Sequence, residues 1–207
     1  MIAGLVIAFS MQSNGQAWKE KYVQAQDAYS KETYDQAFAL ADEALKSYLS
    51  ENGSVNENYA AILRLLSTIS YVQQKFPEGL EFVKKELLVR GEKKDTAFAI
   101  ALANKAQFEE QLGQYDHAIQ TLLECHTILI QYYEKDDLRV LECSLSLATN
   151  YYFLNDYSKA KAWFTPALAA VERKKEYTED VLQTVPCWLR QSQRLCPSFL
   201  HGPVIPS

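Results

Sequence analysis

Apolar residues recur at three- and four-residue spacings along most of the chain, in stretches that short polar segments separate. The polar segments lie at residues 50–54, 90–95, 134–137 and 173–176. A period between three and four residues is that of an amphipathic helix with one apolar face. Each interval between polar segments is long enough for two such helices with a tight turn between them. The pattern therefore predicts an all-α protein built of helix pairs.

A four-residue motif follows the predicted turn of each pair: it begins with an aromatic residue and ends three positions later with Ala or Gly. It begins at Tyr34, Phe76, Tyr115 and Tyr157, with spacings of 42, 39 and 42 residues. Gly113 and Asn155 lie two positions before the aromatic in the last two units. Gly and Asn suit the left-handed conformation in which a first helix ends. A fixed period near 40 residues indicates a repeat protein, here of about four units.

Small residues recur at two further places, nine positions before the aromatic and ten positions after it. The sets are Ala25, Ser67, Ala106 and Ala148 before it, and Ala44, Cys125 and Ala167 after it, with Glu86 departing in the second unit. At these residues, most clearly in the third and fourth units, the chain resembles the tetratricopeptide repeat family in its longer, roughly 42-residue variants. The resemblance covers about residues 18–175. It implies a right-handed α-solenoid of antiparallel helix pairs, with the array placed at residues 18–180.

The resemblance also implies where a partner would bind. In such arrays the first helices line a concave groove for an extended peptide, and we expect contacts five, eight and twelve positions before each aromatic. The candidate partner-binding residues are Tyr22, Gln26, Tyr29, Arg64, Thr68, Tyr71, Gln107, Glu110, Thr149 and Tyr152. Three tyrosines in phase, Tyr29, Tyr71 and Tyr152, are the sharpest candidates, because tyrosine combines contact area with a hydrogen-bonding tip. The alternative is that they pack between adjacent helices.

Composition excludes several classes of function. The chain has 21 Lys and Arg against 26 Asp and Glu, a net charge of −5, which leaves no broad basic field for a nucleic-acid partner. Its four cysteines show no metal-ligand spacing, so we expect neither a metal nor a cofactor, and we expect Cys125 and Cys143 to be buried. Cys125 and His126 are neighbours on one helix and cannot form a nucleophile–base pair. No catalytic constellation is present, and the sequence predicts a protein that is not an enzyme.

The first 17 residues differ from the rest of the chain. Residues 2–9 form an apolar run too short to span a bilayer, and Gly15 and Ala17 supply small residues at a cleavage site. This pattern predicts a signal peptide at residues 1–17 and an exported protein, periplasmic or secreted, that is not inserted in a membrane after cleavage. A basic n-region is missing, and the alternative is a plain apolar leader on a cytoplasmic protein.

The last residues break the period. From Thr184 onward the chain contains four prolines and no acidic residue, and Arg190 stands where a small residue is expected. A proline inside a helix costs about 3 kcal/mol. We therefore predict that residues 181–207 are an atypical tail, either disordered or derived from a shifted reading frame or a truncated gene.

The leading functional prediction is a non-enzymatic scaffold that binds a protein or peptide partner in the groove of the first helices. One alternative is an amino-terminal regulatory array truncated from a longer enzyme, such as a caspase-like protease or a sensor kinase. A further alternative is self-association through the exposed last repeat.

Overall fold

The computed structural model describes residues 17–52, 54–91 and 93–173, which form eight α-helices with no strand among them. In chain order the helices are α1 (Ala17–Ser30), α2 (Tyr34–Asn52), α3 (Glu57–Val72), α4 (Phe76–Arg90), α5 (Thr96–Gln111), α6 (Tyr115–Tyr132), α7 (Leu138–Phe153) and α8 (Tyr157–Arg173). The predicted leader, apart from Ala17, and the predicted tail at residues 181–207 lie outside the described residues. The prediction of an all-α fold of helix pairs is confirmed.

Each predicted pair is present, since α1 packs on α2, α3 on α4, α5 on α6 and α7 on α8. The chain divides into two compact units. Unit 1, residues 1–94, contains α1–α4, and there α2 also packs on α3. Unit 2, residues 95–207, contains α5–α8, and there α6 packs on α7. None of the helices that the structure describes combines the length and apolar character needed to cross a membrane.

The turn inside every pair has the same backbone geometry. The residue two positions before the aromatic has a positive φ in all four units: Glu32 (59°), Gln74 (59°), Gly113 (70°) and Asn155 (61°). Its N–H donates to the carbonyl three residues earlier, and the N–H of the next residue donates to the carbonyl five residues earlier, at 2.8–3.0 Å. This is the Schellman motif, in which two otherwise unpaired carbonyls of a helix end are satisfied. Gly113 and Asn155 were predicted at this position, whereas Glu32 and Gln74 adopt it without being favoured there.

Side-chain caps fix the start of several first helices. Asp95 accepts a hydrogen bond from the Phe98 N–H at 3.0 Å, and Asp137 accepts one from the Arg139 N–H at 3.0 Å. Asp is a favoured residue before the first turn of a helix, because its carboxylate can accept from an otherwise unpaired backbone N–H. A third cap, at Asn56 before α3, lies just after the polar segment at residues 50–54.

The recurring small residues lie where helices approach most closely. The small residues of the four-residue motif, such as Ala37 and Ala118, are buried, and so are the sets nine positions before and ten positions after the aromatic. A larger side chain at these positions would separate the paired helices. In unit 1 the core also contains Trp18, whose ring lies edge-on against Tyr48 at 5.0 Å between centroids. In unit 2 one core cluster consists of aliphatic residues of α7 and α8 around Phe164. The spacing of small residues therefore sets the packing of the pairs.

Candidate functional site

The three candidate tyrosines occupy equivalent places, and each rests against the aromatic that begins the second helix of its own pair. The edge-to-face pairs, with their centroid distances, are Tyr29–Tyr34 (5.7 Å), Tyr71–Phe76 (5.7 Å) and Tyr152–Tyr157 (5.4 Å). All three tyrosines are half-buried, and such ring pairs contribute about 0.5–1.5 kcal/mol beyond burial. The rings thus help to hold the ends of the pairs together. Contact between their exposed parts and a partner stays a prediction.

Tyr22 and Arg64 lie in a second part of the predicted surface, in unit 1. Burial against the core raises the pKa of the Tyr22 hydroxyl, and the nearby Arg64 charge opposes that shift. Arg64 donates from Nε and Nη2 to Glu86 Oε1, at 2.9 and 2.7 Å. Glu86 is wholly buried and also accepts from Arg90 Nε at 3.0 Å. The guanidinium of Arg64 therefore forms part of an ion-pair network that joins α3 to α4.

The remaining polar candidates divide into two kinds. Thr68 and Thr149 are half-buried, and each hydroxyl donates a hydrogen bond to the carbonyl four residues earlier, at 2.9 and 3.0 Å. Gln26 and Gln107 are exposed. Of these four residues, Gln107 borders a cavity, which makes the third unit the centre of the candidate site.

Unit 2 contains a cavity of about 240 Å³ bounded by α5, α6 and α7, which we call the α5–α7 groove. Its floor consists of small and apolar residues: Ala99, Ala103, Ala106, Leu122, Cys125 and Leu129. Its polar lining comprises Asn104, Gln107, Glu110, Arg139, Glu142 and Ser146. Ala103, Gln107 and Glu110 are the positions twelve, eight and five residues before Tyr115. In the third unit the structure thus brings together the positions at which contacts were predicted.

Glu110 takes the place that tyrosine holds in the other three units. Its carboxylate accepts a hydrogen bond from Asn150 Nδ2, which reaches it from α7. Burial raises the pKa of Glu110, and the hydrogen bond from Asn150 opposes this only in part. Asn150 is wholly buried, and its Oδ1 has no hydrogen-bond partner among the described residues. An acceptor without a donor therefore lies beside a half-buried acidic side chain.

Two charged residues of the groove were not predicted as site residues, Arg139 and Glu142 of α7. Arg139 lies over the Tyr133 ring, 3.4 Å from its centroid, and donates twice to Asp137, at 2.8 and 2.7 Å. Glu142 is exposed and has no hydrogen-bond or ion-pair partner among the described residues, yet partial desolvation raises its pKa, helped by the charge of Asp137. Arg139 and Glu142 lie on the same face of α7 as Ser146, because the three residues are spaced three and four positions apart. Extending the predicted contacts beyond twelve positions before Tyr157 would have found them.

Two cysteines line the groove as well. Cys125 and Cys143 are buried, as predicted, and their Sγ atoms donate to the carbonyls of Ala99 and Leu122 at 3.2 and 3.4 Å. Contact between the two thiols separates their pKa values, lowering that of Cys125 and raising that of Cys143. Both thiols belong to the packing between α5, α6 and α7. In the described ranges no group of three or more His, Cys, Asp and Glu residues is placed to hold a metal ion.

Comparison with known proteins agrees with this architecture. Residues 97–173, which span α5–α8 almost completely, match the model of the tetratricopeptide repeat family. The resemblance seen in the sequence is therefore confirmed, and these residues are tetratricopeptide repeats. No curated protein sequence matches the chain.

Several solved structures share the fold at low sequence identity. A structure of nearly identical TPR-like repeats, attributed to a kinesin light chain of Podosopora anserina, is 12% identical with a TM-score of 0.68, over 80% of each chain. BtubC (BKLC) from P. vanneervenii is 18% identical with a TM-score of 0.72, over 82% of this chain and 68% of that one. The apo form of RapI is 13% identical with a TM-score of 0.69, over 79% and 45%. These likenesses establish a tetratricopeptide-like fold, which is typical of protein-interaction scaffolds.

Proposed function

We propose that this chain is a non-enzymatic interaction module that binds a segment of a protein partner in the α5–α7 groove. The observation that carries the proposal is the coincidence of the cavity with Ala103, Gln107 and Glu110, the positions assigned to partner contact by the repeat pattern. A tetratricopeptide-like fold, typical of interaction scaffolds, supports it.

The composition and size of the groove favour a protein segment over a small molecule. An apolar floor with a polar, charged rim is the general anatomy of a protein interface. Small-molecule sites commonly enclose about 300–1,000 Å³, and the groove encloses about 240 Å³. A space of this size suits one side chain of an extended segment whose remainder lies along the helices.

A substitution that fills the groove tests the proposal. Ala103 is half-buried on the groove floor, so Ala103→Met places extra atoms where the partner side chain would lie. Peptides from a displayed random library would first be selected on the full wild-type chain and then measured against the variant. We expect binding weakened by about tenfold or more, which corresponds to about 1.4 kcal/mol.

The matched control is Ala39→Met, at an exposed position of α2 in unit 1. Both variants should retain the circular dichroism spectrum of the wild type. Peptides that bind the two variants equally well would place the binding surface elsewhere. Failure to select any peptide on the wild type would contradict the proposal as a whole.

We further propose that the protein works outside the cytoplasm, on the basis of the apolar residues 2–9 and the small residues Gly15 and Ala17. Cleavage after Ala17 would leave Trp18 as the first residue, at the start of α1. The mass of the protein recovered from the periplasm or medium of a bacterial host tests this. A full-length chain confined to the cytoplasm would contradict export and would leave the groove proposal unaffected.

A further inference from the structure

The α5–α7 groove retains negative charge that the described part of the chain does not neutralise. Its charged lining consists of Glu110, Glu142 and Arg139. Arg139 donates two hydrogen bonds to Asp137. Glu110 accepts a hydrogen bond from the uncharged amide of Asn150, and Glu142 has no hydrogen-bond or ion-pair partner among the described residues. A carboxylate that loses hydration without gaining a counter-charge costs free energy. A cation entering the groove would recover that cost.

A second observation also indicates a missing donor. The wholly buried Asn150 donates from Nδ2 to Glu110, but its Oδ1 accepts no hydrogen bond from the described residues. Leaving a buried acceptor unpaired costs free energy, and such groups are rare in folded proteins. Lysine and arginine heads carry several donors and no acceptor. Asn150 does not itself line the groove, but its unpaired acceptor belongs to the side chain that holds the groove residue Glu110.

From these observations we infer that the partner segment inserts a basic side chain, lysine or arginine, into the α5–α7 groove. Its aliphatic stem would lie on the floor at Ala99 and Ala103, and its charged head would lie between Glu110 and Glu142. Long basic side chains commonly cover apolar surface with the stem while the head stays among polar groups. This inference rests on the proposed function, because it assigns the chemistry of the occupant of the same groove.

The acidic pair is specific to unit 2. At the positions of unit 1 that correspond to Glu110 and Glu142, five residues before one aromatic and fifteen before the next, the chain has Tyr29 and Ala61. Neither can pair with a cation as a carboxylate does. Preference for a basic side chain should therefore belong to the α5–α7 groove and not to every helix pair.

Four pools of short synthetic peptides test the inference, each with random flanking residues and a fixed central residue. The central residue is arginine, lysine, the uncharged arginine analogue citrulline, or glutamate. Retention on the immobilised full chain is measured by mass spectrometry. We expect the arginine and lysine pools to be retained about tenfold more than the citrulline pool, because a hydrogen bond to a charged group is stronger than one between neutral groups.

The variant that tests the site is Glu110→Gln with Glu142→Gln, in which the preference for basic pools should fall to about that for citrulline. Its control is Asp116→Asn with Glu134→Gln, two exposed residues of unit 2, which changes the net charge equally and should keep the preference. If the double variant folds poorly, the single Glu142→Gln variant, at an exposed position, should still reduce the preference.

Each outcome is informative. Retention of all pools without regard to charge would overturn the basic-side-chain inference and leave groove binding standing. A preference that survives the Glu110→Gln and Glu142→Gln exchange would also overturn it. Retention of no pool by the wild type would overturn the groove proposal and the inference together.

Discussion

The residue five positions before each aromatic has two structural roles. Its backbone carbonyl accepts the hydrogen bond that closes the Schellman turn, and in three units its side chain is a tyrosine packed on the aromatic. In the third unit this residue is Glu110, and the Tyr115 ring instead stacks on Phe153 of α7, with centroids 4.9 Å apart. One exchange of tyrosine for glutamate thus releases the side chain from the turn and places a carboxylate in the groove.

The positive φ of Gln74 leads to a stability prediction. A residue with a Cβ pays about 1–2 kcal/mol in the left-handed region, and glycine avoids most of this at the cost of greater freedom when unfolded. We expect Gln74→Gly to raise the free energy of unfolding in urea by about 0.5–1 kcal/mol. The side chain of Gln74 is exposed, so its removal should sacrifice little.

The reciprocal exchange, Gly113→Gln, is the control. A Cβ at Gly113 would meet no atom within 4 Å, so any loss must come from its φ of 70°. This variant should lose stability where the first one gains it. A Gln74→Gly variant less stable than the wild type would contradict the assignment of strain to this turn.

Glu110 leads to a prediction about pH. Because burial raises its pKa, the folded chain holds this proton more tightly than the unfolded chain, and stability falls as pH rises through the folded-state pKa. Glu110→Gln removes the charge and keeps an acceptor for Asn150. We expect the variant to be more stable than the wild type at neutral pH, with a difference that vanishes at acidic pH.

Denaturant unfolding at a series of pH values measures this difference. Glu81 provides a control of opposite sign, since Lys84 lowers its pKa and Glu81→Gln should bring no gain at neutral pH. A gain for Glu110→Gln that is equally large at acidic pH would show that the charge of Glu110 is not its cause.

At the scale of helix pairs, polar networks distinguish two of the pairs. In α3–α4 the carboxylate of Glu86 occupies the position that is Ala or Cys in the other units and binds Arg64 and Arg90. In α5–α6 Lys105 Nζ contacts Glu109 Oε1 at 2.6 Å and Thr121 Oγ1 at 2.7 Å. These networks make the pairs chemically distinct although their backbones repeat.

Glu86→Ala is expected to destabilise the chain even though alanine occupies this position in α2 and α8. The exchange leaves the buried guanidinium of Arg90 without its main counter-charge, a change that typically costs about 3–5 kcal/mol. Urea unfolding would measure it. The double variant Glu86→Ala with Arg90→Leu should recover most of the loss, because a buried ion pair and an apolar pair differ little in stability. A fully stable single variant would contradict this role for Glu86.

The sequence pattern was sufficient for the features that repeat. The aromatic and small residues predicted the pairs, and Gly113 and Asn155 predicted two of the turns, because each of these has a local physical cause. Glu32 and Gln74 were not predictable in the same way, since four pairs of identical geometry impose the left-handed conformation on whatever residue is present.

The candidate site was less accessible from sequence. The departure at Glu86 was visible, but its contact with Arg64, 22 residues away, depends on how α3 and α4 are aligned. The tyrosines could pack or bind, and only the positions of the rings show that they pack on the neighbouring aromatics. Glu110 was identified from its position in the repeat, five residues before Tyr115. Glu142 lies fifteen residues before Tyr157, beyond the twelve positions considered.

For the whole molecule, the excess of 26 acidic over 21 basic residues gives a long-range negative field. Such a field increases the encounter rate of cationic partners and is weakened by salt, whereas contacts made after docking govern dissociation. A partner segment with a basic side chain therefore fits both the chain as a whole and the α5–α7 groove. The alternative of a regulatory array in a longer enzyme concerns sequence beyond this chain and stays a prediction.

The two carboxylates of the groove should divide these kinetic roles. Glu142 is exposed at the rim, so Glu142→Gln should mainly slow association of an arginine-containing peptide and weaken its salt dependence. Glu110 is half-buried and hydrogen-bonded to Asn150, so Glu110→Gln should mainly accelerate dissociation.

Surface plasmon resonance at ionic strengths from about 0.01 M to about 0.15 M, where the screening length falls from about 30 Å to about 8 Å, separates the two effects. Asp116→Asn, outside the groove lining, controls for net charge and should alter association only slightly. Equal effects of both groove variants on association, with dissociation unchanged, would mean that the peptide senses the field of the protein without placing its charge between Glu110 and Glu142.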